Sequence, residues 1–279
     1  MLGLYMLCCG GQKMNDNNLV SIIIPFYKAG FYSSSIVKSI ANQTFNNYEV
    51  IIVDDGCGEG IEQLTNELNR VNIFFRVLTT TGRVGPGSAR NIGLEVAIGR
   101  YIAFLDADDS WPDCYLEKMI NVLSSRNSPF IACSSLYYDS NDNYINKSIL
   151  PSSYGFNDLL QTCPLSITGV LIDRKKVGYF FFSTSGHEDY DLWLYLTSKF
   201  GSFMISNEVS VNIRRLDNSI SSNKFKTILW HWRVLRNRCD KTLIVKFLLM
   251  FIYFFNAVYK RNKSVYRPLI FTSLISFLP

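Results

Sequence analysis

Metal-binding cysteine patterns are absent from this sequence. The chain of 279 residues has two histidines and seven cysteines, and no two cysteines show the C-x-x-C spacing. Because histidine is scarce and the number of cysteines is odd, a zinc site built on thiolates is not expected. The cysteines instead favour a reducing cytoplasm, in which most of them act as small apolar residues.

Long hydrophobic runs are also absent. The longest run near the C-terminus, residues 243–255, is interrupted by Lys246 and falls short of the roughly 20 apolar residues that span a bilayer. The apolar stretch that ends at Cys9 follows no basic segment, so a secretory signal is not expected. Residues 243–255 are compatible with two arrangements, lying on a membrane or packing onto the body of the protein.

Charge is present but unevenly distributed. Hydrophobic residues make up 48% of the chain and charged residues 18%, which excludes global disorder and allows a sizeable core. The net charge is +5. The first 208 residues carry 15 basic and 21 acidic side chains, whereas residues 209–279 carry 13 basic and two acidic ones. An acidic body and a basic C-terminal region require separate explanations.

Apolar runs and helical periodicities alternate along the first half of the chain. Residues 20–25 (VSIIIP), 49–53 (EVIIV) and 101–105 (YIAFL) predict buried strands. Apolar residues recur at helical spacing between them, as in Ile36, Val37 and Ile40. This alternation predicts an α/β fold with a mostly parallel, Rossmann-like sheet flanked by helices.

Aspartates follow two of the predicted strands. Asp54 and Asp55 come directly after residues 49–53, and Asp106, Asp108 and Asp109 follow residues 101–105. Ligands bind outside the carboxyl ends of strands in open α/β sheets, so these side chains are expected to line one crevice. The D-x-D pair has the ligand type that Mg²⁺ and Mn²⁺ prefer. The alternatives are a solvated acidic turn, a helix N-cap and an Asp-Gly turn.

Two further charged motifs begin predicted helices. Arg90 follows the glycine-rich residues 82–87, where its guanidinium is placed to clamp a diphosphate. Glu188 and Asp189 form a late acidic pair. The alternatives are a surface arginine and a favourable interaction of the acids with the helix dipole.

Together these motifs resemble the family 2 glycosyltransferases over residues 19–200. The segments that carry the resemblance are VSIIIPFY at 20–27, SIANQTF at 39–45, EVIIVDDG at 49–56, ARNIG at 89–93, GRYIAFLDADD at 99–109 and EDYDLW at 188–193. The resemblance implies a GT-A fold and a nucleotide-diphosphate sugar as donor, with a UDP-sugar as the first candidate. It implies Mn²⁺ or Mg²⁺ as the cofactor. It also implies inversion at the anomeric carbon.

The resemblance implies roles for residues of the donor site. Pro25 and Tyr27 would flank the nucleobase, Asp54 would bind it and Asp55 would lie nearby. Arg90 would contact the donor. Two positions depart from the family pattern, since Cys57 replaces the usual serine and Lys28 stands where asparagine is common.

The resemblance also implies the metal ligands and the catalytic base. Asp106 and Asp108 would be the D-x-D pair, with Asp108 in direct contact with the metal. Asp189 would remove the proton of the acceptor hydroxyl, and Glu188 is the second candidate for that role.

The chain is expected to divide into an N-terminal extension at 1–18, a catalytic domain at 19–215 and a basic, aromatic-rich helical region at 216–279. Basic residues alternate with aromatic ones in this last region, a pattern typical of an interfacial helix on anionic lipid. A helical cap on the catalytic domain is the alternative, and nucleic acid is not expected as a partner.

The predicted function is that of an inverting, metal-dependent glycosyltransferase. Its acceptor would be a lipid-linked glycan in surface polysaccharide synthesis, such as O-antigen or capsule, at the cytoplasmic face of the inner membrane. The alternatives are a nucleotidyltransferase acting on sugar phosphates and a non-catalytic protein that binds sugar nucleotides.

Overall fold

The computed structural model describes residues 17–184, 186–215, 224–261 and 264–270. Most of the predicted N-terminal extension, including Cys8 and Cys9, lies outside the described residues, as does Asp217 of the C-terminal region.

The described residues form an alternating series of strands and helices. The strands are β1 (Val20–Phe26), β2 (Tyr48–Asp54), β3 (Phe75–Thr79), β4 (Tyr101–Phe104), β5 (Phe130–Tyr138), β6 (Tyr144–Ser148), β7 (Ser153–Tyr154), β8 (Val170–Asp173), β9 (Phe203–Arg214) and β10 (Val265–Tyr266). The helices are α1 (Ser33–Ala41), α2 (Ile61–Arg70), α3 (Pro86–Val96), α4 (Tyr115–Ser125), α5 (Phe156–Gln161), α6 (Arg174–Val177), α7 (Glu188–Phe200), α8 (Lys224–Arg238) and α9 (Leu243–Arg261).

Four parallel strands in the order β3-β2-β1-β4 form the N-terminal half of the sheet. In their register, Ile23 of β1 lies between Ile51 of β2 and Phe104 of β4. All three side chains are fully buried, as expected for a parallel strand that is covered on both faces. This half of the fold confirms the α/β prediction, and it brings the carboxyl ends of β1, β2 and β4 to one edge.

The second half of the sheet is mixed. β8 runs antiparallel to β4 and to the first part of β5, and β6 runs antiparallel to the second part of β5. β9 runs parallel to β5 from Ile131 to Tyr138, with a shift in register after Cys133. The sequence predicted loops and a few strands between residues 127 and 187, and four strands are present there.

Helices cover both faces of the sheet because alternate side chains of each strand point to opposite sides. Ile22 and Ile24 of β1 belong to a core shared with α1, α2 and α4. Ile23 belongs to the opposite core, which is shared with α3, α5 and α7.

The C-terminal helices α8 and α9 pack onto this second core. Val234 and Leu235 of α8 and Leu249 of α9 are buried in the same cluster as Trp193 of α7. The helical cap, which the sequence left as an alternative to membrane contact, is therefore present in the described part of residues 216–279. The division of the chain at residue 215 stays a prediction. Within the described residues, no helix has the length and apolar character needed to cross a membrane.

Candidate active site

The loop after β2 is organised around the carboxylate of Asp54. Asp54 is 1% exposed and accepts hydrogen bonds from the backbone nitrogens of Gly58 at 3.0 Å and Cys57 at 3.3 Å. The thiol of Cys57 accepts a hydrogen bond from the backbone nitrogen of Lys28 at 3.3 Å, which joins the loops that follow β1 and β2. Asp54 therefore closes a turn, and its contact with a nucleobase stays a prediction.

Asp55 holds the glycine-rich loop in place. Its two carboxylate oxygens accept hydrogen bonds from the backbone nitrogens of Val84 at 2.6 Å and Gly85 at 2.9 Å. Gly85 has φ +88°, a conformation that favours glycine. Because α3 begins at the next residue, Asp55 fixes the start of the helix that carries Arg90.

The proposed nucleobase position lies at the end of β1. Pro25 and Tyr27 are half-buried there. The guanidinium carbon of Arg83 lies 4.2 Å from the centroid of the Tyr27 ring, within cation–π distance. Sequence reasoning did not single out Arg83, because a lone arginine in a glycine-rich loop carries no spacing signal.

Arg90 connects the two acidic motifs. Its Nη2 donates to Oδ1 of Asp106 at 2.6 Å, and its Nη1 lies 3.5 Å from Oε1 of Glu188. The Arg90 side chain is 5% exposed. Burial opposes its charge, but Asp106, Glu188 and Asp189 outweigh that cost and raise the pKa of Arg90 above its usual value. The structure thus brings Asp106 and Glu188 together across one guanidinium, and the predicted contact of Arg90 with the donor stays a prediction.

The D-x-D turn follows β4, and its surroundings disfavour the charged form of the Asp108 carboxylate. Burial, together with the neighbouring Asp106, raises the pKa of Asp108 to about 6. Within the described residues, no three His, Cys, Asp or Glu side chains are grouped as a complete metal site. Two carboxylates with additional oxygens from a substrate diphosphate are the usual ligand set of Mg²⁺ in nucleotide enzymes, so Asp106 and Asp108 fit a metal of that class.

Asp109, next to the pair, has a structural role. It is 5% exposed and accepts hydrogen bonds from Oγ1 of Thr168 at 2.6 Å and from the backbone nitrogen of Arg214 at 3.0 Å. Nε of Arg214 also donates to the backbone oxygen of Asp108 at 3.3 Å. Thr168 and Arg214 therefore hold the D-x-D turn, and neither was predicted to do so, because they lie 59 and 105 residues from Asp109 along the chain.

The acidic pair occupies the first turn of α7, as predicted. His187 precedes it with φ +51°, which reverses the chain before the helix begins. Burial and the neighbouring Asp189 raise the pKa of Glu188. A Cβ atom on Gly87 of α3 would lie 2.9 Å from Cγ of Glu188, so the beginnings of α3 and α7 are in close contact.

The fold agrees with the comparison to known families. The model of the family described as "Glycosyl transferase family 2" matches residues 21–182. The chain belongs to this family. An uncharacterized glycosyltransferase of Haemophilus influenzae is 34% identical over 251 residues, covering 88% of this chain and 98% of the relative. An Escherichia coli protein, the UDP-Glc:alpha-D-GlcNAc-diphosphoundecaprenol beta-1,3-glucosyltransferase WfgD, is 32% identical, covering 85% of this chain and 93% of the relative.

Solved structures with the same fold confirm the GT-A prediction for this glycosyltransferase. Residues 1–349 of S. aureus TarS in complex with UDP-GlcNAc align with a TM-score of 0.62 at 16% identity, covering 83% of this chain and 70% of that one. The mannosyltransferase PcManGT from Pyrobaculum calidifontis, in complex with GDP-Man and Mn²⁺, aligns with a TM-score of 0.59 at 16% identity, covering 86% of this chain and 70% of that one.

The C-terminal helices of the glycosyltransferase contact the turn that carries the acidic pair. A Cβ atom on Gly186 would clash with the ring of Trp230 in α8, so the two residues are in direct contact. Nε2 of His187 lies 3.2 Å from the backbone oxygen of Thr227. Further along the two helices, Arg238 of α8 forms a bidentate ion pair with Asp191 of α7, with N–O distances of 2.7 and 2.8 Å.

Proposed function

We propose that this glycosyltransferase moves a sugar from a UDP-sugar to a hydroxyl of a lipid-linked glycan during surface polysaccharide synthesis, with inversion at the anomeric carbon. The alignment with the E. coli relative covers almost the whole length of that protein, and the relative's name specifies UDP-Glc and a diphosphoundecaprenol-linked sugar. The reaction would take place in the cytoplasm, at the face of the inner membrane where such an acceptor is anchored.

The observation that carries this proposal is the position of Arg90 between Asp106 and Glu188. A donor diphosphate at the D-x-D pair would then have its anomeric carbon close to the start of α7. The buried guanidinium is placed to balance negative charge as the nucleoside diphosphate leaves. Asp106 and Asp108 would hold Mn²⁺ or Mg²⁺, which would neutralise charge on that diphosphate.

Asp189 is the proposed catalytic base. Glu188 is engaged by Arg90, whereas Asp189 stands outside that ion pair among the described residues and has Oδ1 held by the backbone nitrogen of Tyr190 at 2.7 Å. As the acceptor oxygen bonds to the anomeric carbon, its proton passes to Asp189 and the bond from that carbon to the diphosphate breaks. A single displacement of this kind inverts the configuration.

A donor screen with the purified full chain tests the proposal. We expect UDP release from one UDP-sugar in the presence of Mn²⁺ or Mg²⁺, and loss of this release with a chelator. Asp189→Asn should abolish transfer to the acceptor but keep the binding of UDP, measured by calorimetry. Glu188→Gln is the matched variant, and transfer by a folded Asp189→Asn protein at the wild-type rate would refute the assignment.

The nucleotidyltransferase alternative predicts a different product. Such an enzyme would release pyrophosphate from a nucleoside triphosphate and a sugar phosphate, and it would leave UDP-sugars intact. A non-catalytic protein would bind the nucleotide sugar and release neither product. Either result would contradict the proposed glycosyl transfer.

A further inference from the structure

One side of α9 exposes a continuous apolar surface, which we call the α9 face. It consists of six large side chains at helical spacing, and all of them are well exposed: Ile244 82%, Phe247 61%, Phe251 68%, Phe254 55%, Phe255 53% and Val258 44%. From the first to the last of them, a helix rises about 21 Å. A contiguous exposed patch of aromatic residues marks an interaction site in soluble proteins.

Packing among the described residues does not account for these side chains. The side of α9 that contacts the catalytic core carries Val245, Leu249 and Ile252, which are 3%, 0% and 8% exposed. Asn256, on the same side, is 1% exposed and anchors the segment after the helix by accepting from the backbone nitrogen of Leu269 at 2.9 Å. The helix is therefore apolar on two opposite sides, and a helix of that kind is expected to be covered on both.

α8 extends the α9 face and adds positive charge beside it. The ring of Trp232 stacks on Phe247 with centroids 4.9 Å apart, and Leu229, one turn earlier, is 63% exposed. Arg233 and Arg236 are exposed at positions that share this side of α8. Between residues 224 and 261 the sequence contains one acidic residue, Asp240.

We propose that the α9 face, with Trp232 and the arginines of α8, docks onto the surface of an anionic lipid bilayer. An interfacial helix buries an apolar side among the acyl chains and places basic residues at the headgroups, and aromatic residues are favoured at that depth. A symmetric dimer would cover the phenylalanines, but it would bring the arginines of α8 from the two copies together without acidic residues to pair with them. Anionic headgroups supply that complement.

This docking would place the turn before Glu188 and Asp189, the proposed catalytic residues, beside the membrane. Trp230 and Thr227 of α8 contact Gly186 and His187, the residues directly before the acidic pair. The helix pair that touches lipid is thus the one that packs against the start of α7. This part of the inference rests on the proposed lipid-linked acceptor, whereas the docking itself does not.

Vesicle flotation with the full chain tests the docking. We expect the protein to float with phosphatidylcholine vesicles that contain phosphatidylglycerol, and less with phosphatidylcholine alone. The combined variant Ile244→Ser, Phe251→Ser and Phe255→Ser should bind roughly 100-fold more weakly, since it removes three large apolar side chains from the interface. The matched control replaces three exposed apolar residues on the body of the protein, Val71, Ile98 and Tyr179, by serine and should float like the wild type.

Charge and activity give independent readouts. Arg233→Gln with Arg236→Gln should reduce the preference for anionic vesicles. The serine variant of the α9 face should lose transfer to an acceptor embedded in vesicles while it hydrolyses the UDP-sugar at the wild-type rate. If the wild type does not hydrolyse any donor but still floats, the proposed function fails and the docking stands.

Two results would overturn the docking. One is unchanged flotation of the serine variant of the α9 face. The other is a wild-type dimer in sedimentation velocity that this variant loses, combined with no flotation of the wild type, because the face would then be an interface between copies.

Discussion

The guanidinium of Arg90 donates to Asp106 at 2.6 Å from a position in which it is almost fully buried. Asp106 belongs to the turn after β4, and Arg90 belongs to the second turn of α3. The same guanidinium reaches Glu188 at the start of α7. Three separate elements of the fold therefore share one positive charge, so changing it should affect the whole site at once.

Replacing Arg90 by methionine keeps the volume of the side chain but leaves the carboxylates of Asp106 and Glu188 without their partner. We expect kcat/KM for transfer to fall by at least about 100-fold, the usual cost of removing a group that balances charge in a transition state. Arg100→Met is the control, because it breaks an ion pair of similar length with Asp173 at the opposite end of β4. Equal losses of activity in the two variants would indicate a purely structural role.

Close packing between α3 and α7 predicts the effect of Gly87→Ala. The added Cβ would meet Cγ of Glu188 at 2.9 Å and the backbone oxygen of Ser183 at 3.3 Å, so the side chain of Glu188 must shift. We expect a lower kcat and a loss of about 1–3 kcal/mol in the free energy of unfolding. Gly82→Ala, in the same loop, meets no atom within 4 Å and should change neither quantity.

The hydrogen bonds of Asp55 predict weaker nucleotide binding by Asp55→Asn. An asparagine offers one acceptor oxygen, so either Val84 or Gly85 loses its partner and the glycine-rich loop loosens. We expect UDP to bind about tenfold more weakly in calorimetry, equivalent to about 1.4 kcal/mol. Asp139→Asn is the control, since that carboxylate also accepts from two backbone nitrogens, those of Asn141 and Asn143, in the hairpin between β5 and β6. Equal weakening by the control would contradict a specific role for Asp55.

Burial of His231 predicts a dependence of stability on pH. Its ring stacks between Tyr190 at 4.8 Å and Tyr253 at 3.7 Å, and both ring nitrogens lack a hydrogen-bond partner among the described residues. Burial lowers the pKa of His231 from 6.5 to about 3. Below pH 6.5 the unfolded chain therefore binds a proton that the folded protein does not, and the free energy of unfolding decreases as the pH falls towards 3.

His231→Phe should remove this contribution while it keeps the stacking. Between about pH 7.5 and about pH 5.5, the wild type should lose about 1 kcal/mol more than the variant in urea denaturation. His187→Gln, a change at a half-buried neighbour, should leave the difference in place. Identical pH profiles of the wild type and His231→Phe would show that His231 does not titrate as its burial requires.

The sequence predicted the elements and motifs of the site well, because they follow from local patterns. The apolar run of residues 101–105 ends directly before Asp106. Because the carboxyl ends of neighbouring parallel strands lie at the same edge of the sheet, the position of Asp106 at that edge could be predicted. The start of α7 at Glu188 was likewise visible from its periodic apolar face. The order of these pieces predicted a mostly parallel α/β sheet, and the resemblance to family 2 glycosyltransferases implied the GT-A architecture.

Partners that lie far apart in the chain could not be predicted in this way. Nothing in the spacing of Arg214 indicates that it holds the turn of Asp108, because side-chain pairing across the fold has no periodicity. The C-terminal region gave two alternatives, packing on the body or lying on lipid. In the structure, one side of α9 packs on the body of the protein. The opposite side of α9 is the surface that we propose lies on lipid.

The contact of α8 with the turn before Glu188 also has a consequence for the order of events during synthesis. β1 to β4 and the D-x-D turn leave the ribosome well before α8 and α9 do, whereas a domain generally folds as a unit. The start of α7 is therefore packed on the side of α8 only after these last helices have emerged. The turn before the acidic pair and the surface that is proposed to meet the membrane are completed by the same late pair of helices, so the enzyme would become competent for its acceptor only when it is also able to reach it.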